Sequence, residues 1–405
     1  MIETIPEYIP RPYYIERIRP YINSHIIKVI TGQRRAGKSF ILYGLMDKIK
    51  KEKPKSQIIY INTELAEFGN LKNGTDLYEY IVSRLKKNSS YVFIDEIQEI
   101  DGFEIALKSL YAEGRADLYI TGSNSRLLSG ELATFLSGRY IMFTIHTLSY
   151  SEFLDFHRLK KGPGSLQRYL RIGGMPYLSA LGGDENLSFE YLKNVYESIL
   201  LRDVVLREKI RNVRFLENLS AYLADNTGSF FSASNISKYL KSQKIQIPVQ
   251  TVISYLKTLE TSFLIHRVQR KKIGGLKIFE IGEKYYFEDI GLRNILARNN
   301  PAGDRAKVLE NAVYLSLLQR GYNVHAGKLD KGEIDFIAEK FDETVYIQAC
   351  WRMESNDTLK RETGNLLEIN DNWPKYIVTM DSELAGRSYR GIKIVFLEDF
   401  LLNPI

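Results

Sequence analysis

The 405-residue sequence has only one cysteine, Cys350. An intrachain disulfide is therefore excluded, and the composition fits a reducing compartment. Long apolar runs are lacking too. None approaches the roughly 18 residues needed to cross a bilayer, so no membrane role is expected. The opening stretch MIETIPEYIPRPYY mixes prolines with acids, where a signal peptide has a basic region and then an apolar one. Together these absences lead to the expectation of a soluble, cytoplasmic protein. Repeats and low-complexity tracts are also missing. That leaves ordinary domains of about 100–200 residues each, two to four of them in a chain this long.

Hydrophobic residues make up 44% of the chain and charged residues 26%, enough for sizeable cores. The net charge of +7 is unevenly spread: residues 205–275 hold 12 Lys/Arg against 4 Asp/Glu, a local +8, so the remainder is close to neutral. A charge excess confined to one segment fits a nucleic-acid-facing module, and a solvated basic face equally well. Short β-branched runs at 26–30, 57–61, 91–94, 117–121 and 141–145 alternate with stretches such as 40–51 and 76–87, which read as helices. That alternation predicts an α/β fold with a parallel, doubly wound sheet. The expected domains are 1–148, a helical lid at 149–210, a basic module at 211–300 and a second α/β domain at 301–405.

Directly after the first strand, Gly32-Gln33-Arg34-Arg35-Ala36-Gly37-Lys38-Ser39 matches the phosphate-binding pattern G-x-x-x-x-G-K-[ST], and Phe40 opens the following helix. The glycines let backbone N–H groups wrap a phosphate, and the helix adds its positive dipole end. Lys38 is placed to reach the β- and γ-phosphates of ATP, and the Ser39 hydroxyl to join a Mg²⁺ shell. Tyr91-Val92-Phe93-Ile94-Asp95-Glu96 supplies the partner element. Its strand delivers Asp95 to Mg²⁺ and Glu96 to the attacking water, and the paired acids point to hydrolysis. Ser123 or Asn124, after the fourth strand, suits a γ-phosphate contact; a turn of Gly, Ser and Asn is the plainer reading.

From these elements onward the sequence resembles bacterial and archaeal AAA+-like ATPases that carry a C-terminal domain of unknown function. The resemblance rests on GQRRAGKS, FIDEIQ and TGSNS, then on FLSGR at 135–139, LSYSEFL at 148–154, GGMP at 173–176 and LLRDV at 200–204, in that order. It implies nucleotide-sensing roles for Arg139 and Arg202, as sensors or arginine fingers, with cis and trans placement open.

Residues 215–226, 234–242 and 248–260 read as three helices. Strands at 265–268 and 277–281 would then flank the basic Lys271-Lys272-Ile273-Gly274-Gly275. That layout is winged-helix-like, with Gln250, Thr251, Ser254 and Lys257 as candidate nucleic-acid contacts on the recognition helix and Lys271 and Lys272 on the wing. Further on, Glu310, Asp335, Gln348 and Cys350 follow the order of a restriction-endonuclease-like PD-(D/E)xK core. Gln348 stands where a carboxylate is expected and Cys350 where the lysine is expected. Glu333 is a candidate substitute acid, and nothing evident replaces the lysine, so the expectation is a nuclease fold without cleavage. Cys350 reads as a core residue. The sequence thus predicts a Mg²⁺-dependent ATPase coupled to nucleic acid, with DNA favoured. The alternative is a nucleotide-controlled protein-interaction switch. A homo-oligomer or protein partner stays open.

Overall fold

The computed structural model describes residues 5–86, 90–123, 136–206, 210, 212–242, 246–273, 282–297, 304–330, 332–353 and 356–404. The chain divides into two compact units. One comprises Met1–Thr147 with Thr261–Phe263; the other comprises Leu148–Glu260 with Leu264–Ile405.

The first unit is a parallel sheet of β1 (Ile27–Thr31), β2 (Gln57–Asn62), β3 (Ser90–Asp95), β4 (Ala116–Gly122) and β5 (Tyr140–Thr144), in the order β2-β3-β4-β1-β5. Successive residues of β1 point to opposite faces. Val29 joins a core with Ile59, Leu77, Ile94 and Leu107, while Ile30 joins another with Ile18, Leu42, Leu45 and Phe93. Burial on both faces explains why these strands read as unbroken apolar runs. From β1 the chain crosses to the edge strand β2, returns through β3 and β4 to the flank of β1, and then adds β5 on the other side. Because β4 lies between β1 and β3, the carboxyl ends of all three are side by side, and a ligand crevice forms at such a place in open α/β sheets.

Helix α2 (Lys38–Glu52) follows the glycine loop, and α4 (Phe103–Glu113) connects β3 to β4. Between β2 and β3, α3 covers Gly74–Val82, so it starts and ends earlier than the expected 76–87. Its start is set by a capping box: the Asn73 side chain accepts from the N–H groups of Thr75 and Asp76, and Asp76 answers back to Asn73.

The second unit begins with helices Tyr150–His157, Pro163–Ile172 and Glu185–Ser198. An eight-residue π-helical stretch, Ile199–Leu206, follows. Two of the recurring motifs have structural jobs here. Ser149 and Glu152 of LSYSEFL form another capping box. In GGMP, a Cβ on Gly173 would lie 2.4 Å from both the Asp289 carboxylate and the Gly291 nitrogen, and Gly174 N donates to Asp289 Oδ2 at 2.7 Å. Only glycine allows so close an approach of helix end to helix start.

Helices Val213–Asp225, Ala233–Ser242 and Val249–Thr261 come next, then the antiparallel pair β6 (Ile265–Lys272) and β7 (Glu283–Phe287). The strand expected at 277–281 lies outside the described residues, as do Gly274 and Gly275. After helices Ile290–Leu296 and Arg305–Gln319, strands β8 (Asn323–Leu329), β9 (Gly332–Lys340), β10 (Glu343–Cys350), β11 (Lys375–Thr379), β12 (Ser388–Tyr389) and β13 (Ile392–Phe396) complete an eight-stranded sheet. Its order is β12-β13-β11-β10-β9-β8-β6-β7. The expected boundaries at 210 and 300 therefore do not separate compact units. Arg270, Lys271 and Lys272 of β6 pair in parallel with Ala326, Gly327 and Lys328 of β8, and backbone ladder bonds bind the hairpin into the later strands.

Candidate functional site

Gly32, Arg35 and Gly37 all take positive φ, which curls the loop after β1 back on itself. A Cβ on Gly32 would lie 2.1 Å from the Ile145 carbonyl oxygen, so no larger residue fits there. Gly37 is the N-cap of the 15-residue α2, and no side chain caps it, so the first amides of α2 are left for another acceptor. Gln33 and Ala36 are fully buried, and Arg34 lies 3.6 Å from Glu64. The half-exposed Phe40 ring packs edge-on against Tyr43.

Lys38 is buried. Its Nζ donates to the carbonyls of Gly32 and Gln33, each at 3.3 Å, and lies 3.4 Å from Glu96 Oε1. Asp95, at the carboxyl end of β3, accepts from the hydroxyls of Thr121, Ser39 and Tyr60, the last at 3.0 Å. Glu96 leaves the strand in a left-handed conformation, φ 54°, and its N–H donates to Thr121 Oγ1 at 2.9 Å. Ser123 is fully buried, and its hydroxyl has no hydrogen-bond partner among the described residues. Asn124 lies outside the described residues.

The two acids are tuned in opposite directions. Burial pushes the Asp95 carboxyl up, against its hydroxyl partners, and the charge of Glu96 adds to the rise. Burial acts on Glu96 in the same sense, but Lys38, the hydrogen bond from Gln98 and Arg34 outweigh it and hold that carboxyl below its ordinary value. Lys38 thus keeps Glu96 ionised and able to accept a hydrogen bond, at the cost of basicity as long as the pair is intact. The donor set also fits a nucleotide with its metal. Ser39 and Asp95 are in hydrogen-bond contact, hard oxygen ligands of the kind a Mg²⁺ ion takes.

Arg139 lies away from the phosphate loop of its own chain. It precedes β5 at the amino edge of the sheet, where Ile27 N donates to its carbonyl at 2.9 Å and its guanidinium lies over the Tyr111 ring. The phosphate loop leaves the opposite edge. A five-residue strand spans about 17 Å, too far for Arg139 to reach a phosphate on its own chain's loop. Arg202 is an exposed residue of the π-helical stretch in the second unit.

Arg11 was missed in the sequence reading. Buried in the lead-in, it donates from Nη1 to the carbonyls of Ala36 and His146, both at 2.9 Å. The only sequence signal was a lone arginine between two prolines.

In the second unit, Glu310 and Asp335 meet around a lysine. Lys284 Nζ, from β7, lies 2.9 Å from Glu310 Oε1 and 3.1 Å from Asp335 Oδ1; Tyr286 donates to Glu310 Oε1 at 2.6 Å. The expectation that nothing replaces the missing lysine is corrected. A buried ammonium is supplied instead by Lys284 of β7, far upstream of Cys350 in the chain. Burial pushes the Glu310 carboxyl up to about 7, with Asp335 adding and Lys284 and Tyr286 opposing. Glu333 does not substitute for an acid, because it pairs with Arg270. Gln348 Oε1 accepts from Asp335 N at 3.2 Å, and burial pushes the Cys350 thiol up to about 12. The expected wing lysines are engaged as well: Lys271 pairs with Glu339 at 2.6 Å and Lys272 with Asp330 at 3.1 Å. Gln250, Ser254 and Lys257 are exposed on their helix, and Thr251 is half-buried.

Comparison with known proteins agrees with the first unit. Residues 24–154 match the model of an AAA domain, and residues 164–303 match a domain of unknown function. An uncharacterized protein of Haemophilus influenzae is 35% identical over 407 residues, covering 98% of this chain and 99% of that protein. One of Methanocaldococcus jannaschii is 30% identical over 355 residues, covering 82% of this chain and 76% of that one. The chain belongs to this family of AAA-domain proteins. Among solved structures, the Walker-type ATPase PABY2304 of Pyrococcus abyssi aligns with a TM-score of 0.50 at 18% identity, covering 71% of this chain and 96% of that one. At that identity the likeness is one of fold. No described helix is long and apolar enough to cross a membrane.

Proposed function

We propose that the protein is a Mg²⁺-dependent ATPase whose nucleotide state controls a contact made by its C-terminal half, with nucleic acid, DNA foremost, as the partner. The observation that carries the ATPase reading is the convergence of Lys38 and Ser39, which follow β1, on Asp95 and Glu96 at the end of β3, with Thr121 of the intervening β4 bonded to both acids. In this reading the loop from Gly32 to Ser39 cradles the phosphates through its backbone and Lys38. Ser39 and Asp95 would hold Mg²⁺, which supplies neutralisation of charge on the transferring phosphoryl group. Glu96 orients the attacking water and takes its proton. Ser123, buried and without a partner, is available as the γ-phosphate contact, with Asn124 the other candidate. Arg139 fits only a role toward a neighbouring chain, and Arg202 remains a candidate sensor.

Support for a nucleic-acid partner is the exposed face of helix Val249–Thr261, which carries Gln250, Ser254 and Lys257. The pairing of Lys271 and Lys272 with carboxylates favours the second reading, a nucleotide-controlled protein-interaction switch. The same helix face exposes Val249 and Ile253. The Lys284 cluster is read as a metal-independent support for a nuclease-like sheet that does not cleave.

The test is ATP hydrolysis with and without duplex DNA at several salt concentrations, with Lys38→Ala and Glu96→Gln as controls. Turnover that both substitutions abolish and DNA raises, with a steep salt dependence, supports the coupled ATPase. Turnover indifferent to DNA at low salt favours the protein switch.

A further inference from the structure

The turn that ends β3 runs Asp95-Glu96-Ile97-Gln98. The left-handed backbone at Glu96 leads into a single 3₁₀ turn, Ile97–Glu99, which folds the Gln98 side chain back against Glu96. Gln98 Nε2 donates to Glu96 Oε2, while Lys38 Nζ lies 3.4 Å from Oε1. One carboxylate is thus held from two sides, one oxygen to each.

The two supports differ in what a nucleotide does to them. Lys38 belongs to the phosphate loop, and its ammonium is the group that the β- and γ-phosphates claim. Gln98 is uncharged, lies on the same turn as Glu96 and is anchored to nothing a phosphate would displace. Turning its amide over would set oxygen against carboxylate oxygen, so Glu96 itself fixes which end points inward. The other end of the amide, Oε1, is buried with no partner among the described residues. The sequence pattern agrees with this division of labour. Gln98 lies two residues past Glu96, and the left-handed turn at Glu96 brings the two side chains together.

We propose that Gln98 is a positioning residue for ATP hydrolysis, holding the Glu96 carboxylate in place once the nucleotide has drawn Lys38 away. The proposal rests on the ATPase reading above. Gln98 touches neither nucleotide nor water in this arrangement; it acts through Glu96.

The test uses the full-length protein and two variants that keep the size of the side chain. Gln98→Met removes the donor, and Gln98→Glu sets a second carboxylate against Glu96. Steady-state ATP hydrolysis is measured beside the affinity for a non-hydrolysable ATP analogue. Both variants are expected to lower kcat by about 10- to 100-fold, the worth of a hydrogen bond to a charged group. KM and analogue affinity should stay within about twofold, since the interaction serves the chemical step and not binding. Preserved analogue affinity also shows that the variants fold. If Gln98 merely fills space, Gln98→Met keeps the wild-type rate, and that result overturns the proposal while leaving the ATPase reading intact. If the wild-type protein has no turnover that Glu96→Gln removes, the ATPase reading falls, and this one with it.

Discussion

Arg11 donates from Nη1 to the Ala36 carbonyl at 2.9 Å and so ties the amino-terminal lead-in to the phosphate loop. The same nitrogen also reaches His146 O, and Nη2 lies 3.4 Å from Thr147 O. Three carbonyls from two segments converge on one planar cation, an arrangement suited to the guanidinium fork.

Arg11→Ala is therefore expected to cost about 2–3 kcal/mol of stability, the worth of buried hydrogen bonds to a charged group. It should also weaken nucleotide binding, because the loop loses its support behind Ala36. Arg11→Lys should restore little, since an ammonium has no fork. Denaturant unfolding alongside nucleotide titration checks both; full recovery by lysine would show that charge alone matters.

Glu96→Gln should bind ATP more tightly than the wild type, by about fivefold, the worth of roughly 1 kcal/mol for a partly buried ion pair. Lys38 must leave Glu96 to meet the phosphates, and the substitution removes that cost. Equilibrium titration with a fluorescent ATP analogue reads the difference. Equal or weaker binding by the variant would mean that the pair does not restrain Lys38.

At the amino edge of the first sheet, Lys28 is fully buried and paired with Asp117, which also accepts from Tyr119 Oη at 2.7 Å and Asn23 N at 2.8 Å. Asp117→Ala leaves the lysine without its counter-charge and should cost about 3–5 kcal/mol. Lys28→Met/Asp117→Leu should recover most of that loss. Melting curves of the wild type and the two variants decide it; a double variant no more stable than Asp117→Ala would show that the unpaired lysine is not the cause of the loss.

Lys284→Met should destabilise the second unit in a pH-dependent way. Glu310 is held up at about 7, above its ordinary value, so the folded state favours its protonated form. A raised carboxyl gives a stability contribution that is complete below the unfolded value near 4.5 and is lost as pH rises through the folded one. Without the ammonium that opposes the rise, Glu310 moves higher still. The loss should then be smaller at pH 5.5, where only Asp335 is left without its partner, than at pH 8, where both acids are and it reaches about 3–5 kcal/mol. Urea unfolding at the two pH values measures it, and an equal loss at both would remove Glu310 titration from the account.

Much of the first unit was legible because its signals are local. Buried parallel strands are continuous β-branched runs, and a phosphate loop must keep its glycines and lysine at fixed offsets. Lys38, Ser39, Asp95 and Glu96 could therefore be located before any contact was known. The place of Arg139 was legible too: it stands just before a strand of a parallel sheet, hence at the amino edge, away from a loop that follows a strand. Lys284 was missed. It is one lysine in EKYYF, and only the pairing of β6 with β8 brings it to acids 26 and 51 residues away. Arg11 acts over 25 residues and also leaves no periodic trace. The ladder that crosses residue 300, from β6 to β8, joins residues more than 50 apart and leaves no local signal in the sequence.

That ladder limits how the protein can be taken apart. A fragment starting at residue 301 would begin beyond β6 and β7. It would expose the naked edge of β8 and strand Glu310 and Asp335 in the interior without their ammonium. A fragment ending at 300 would keep a hairpin whose outer partner had gone. The shared ladder makes the carboxyl-terminal half of this chain indivisible at 300, and a cut that leaves its sheet whole falls near Leu148, where the second unit starts.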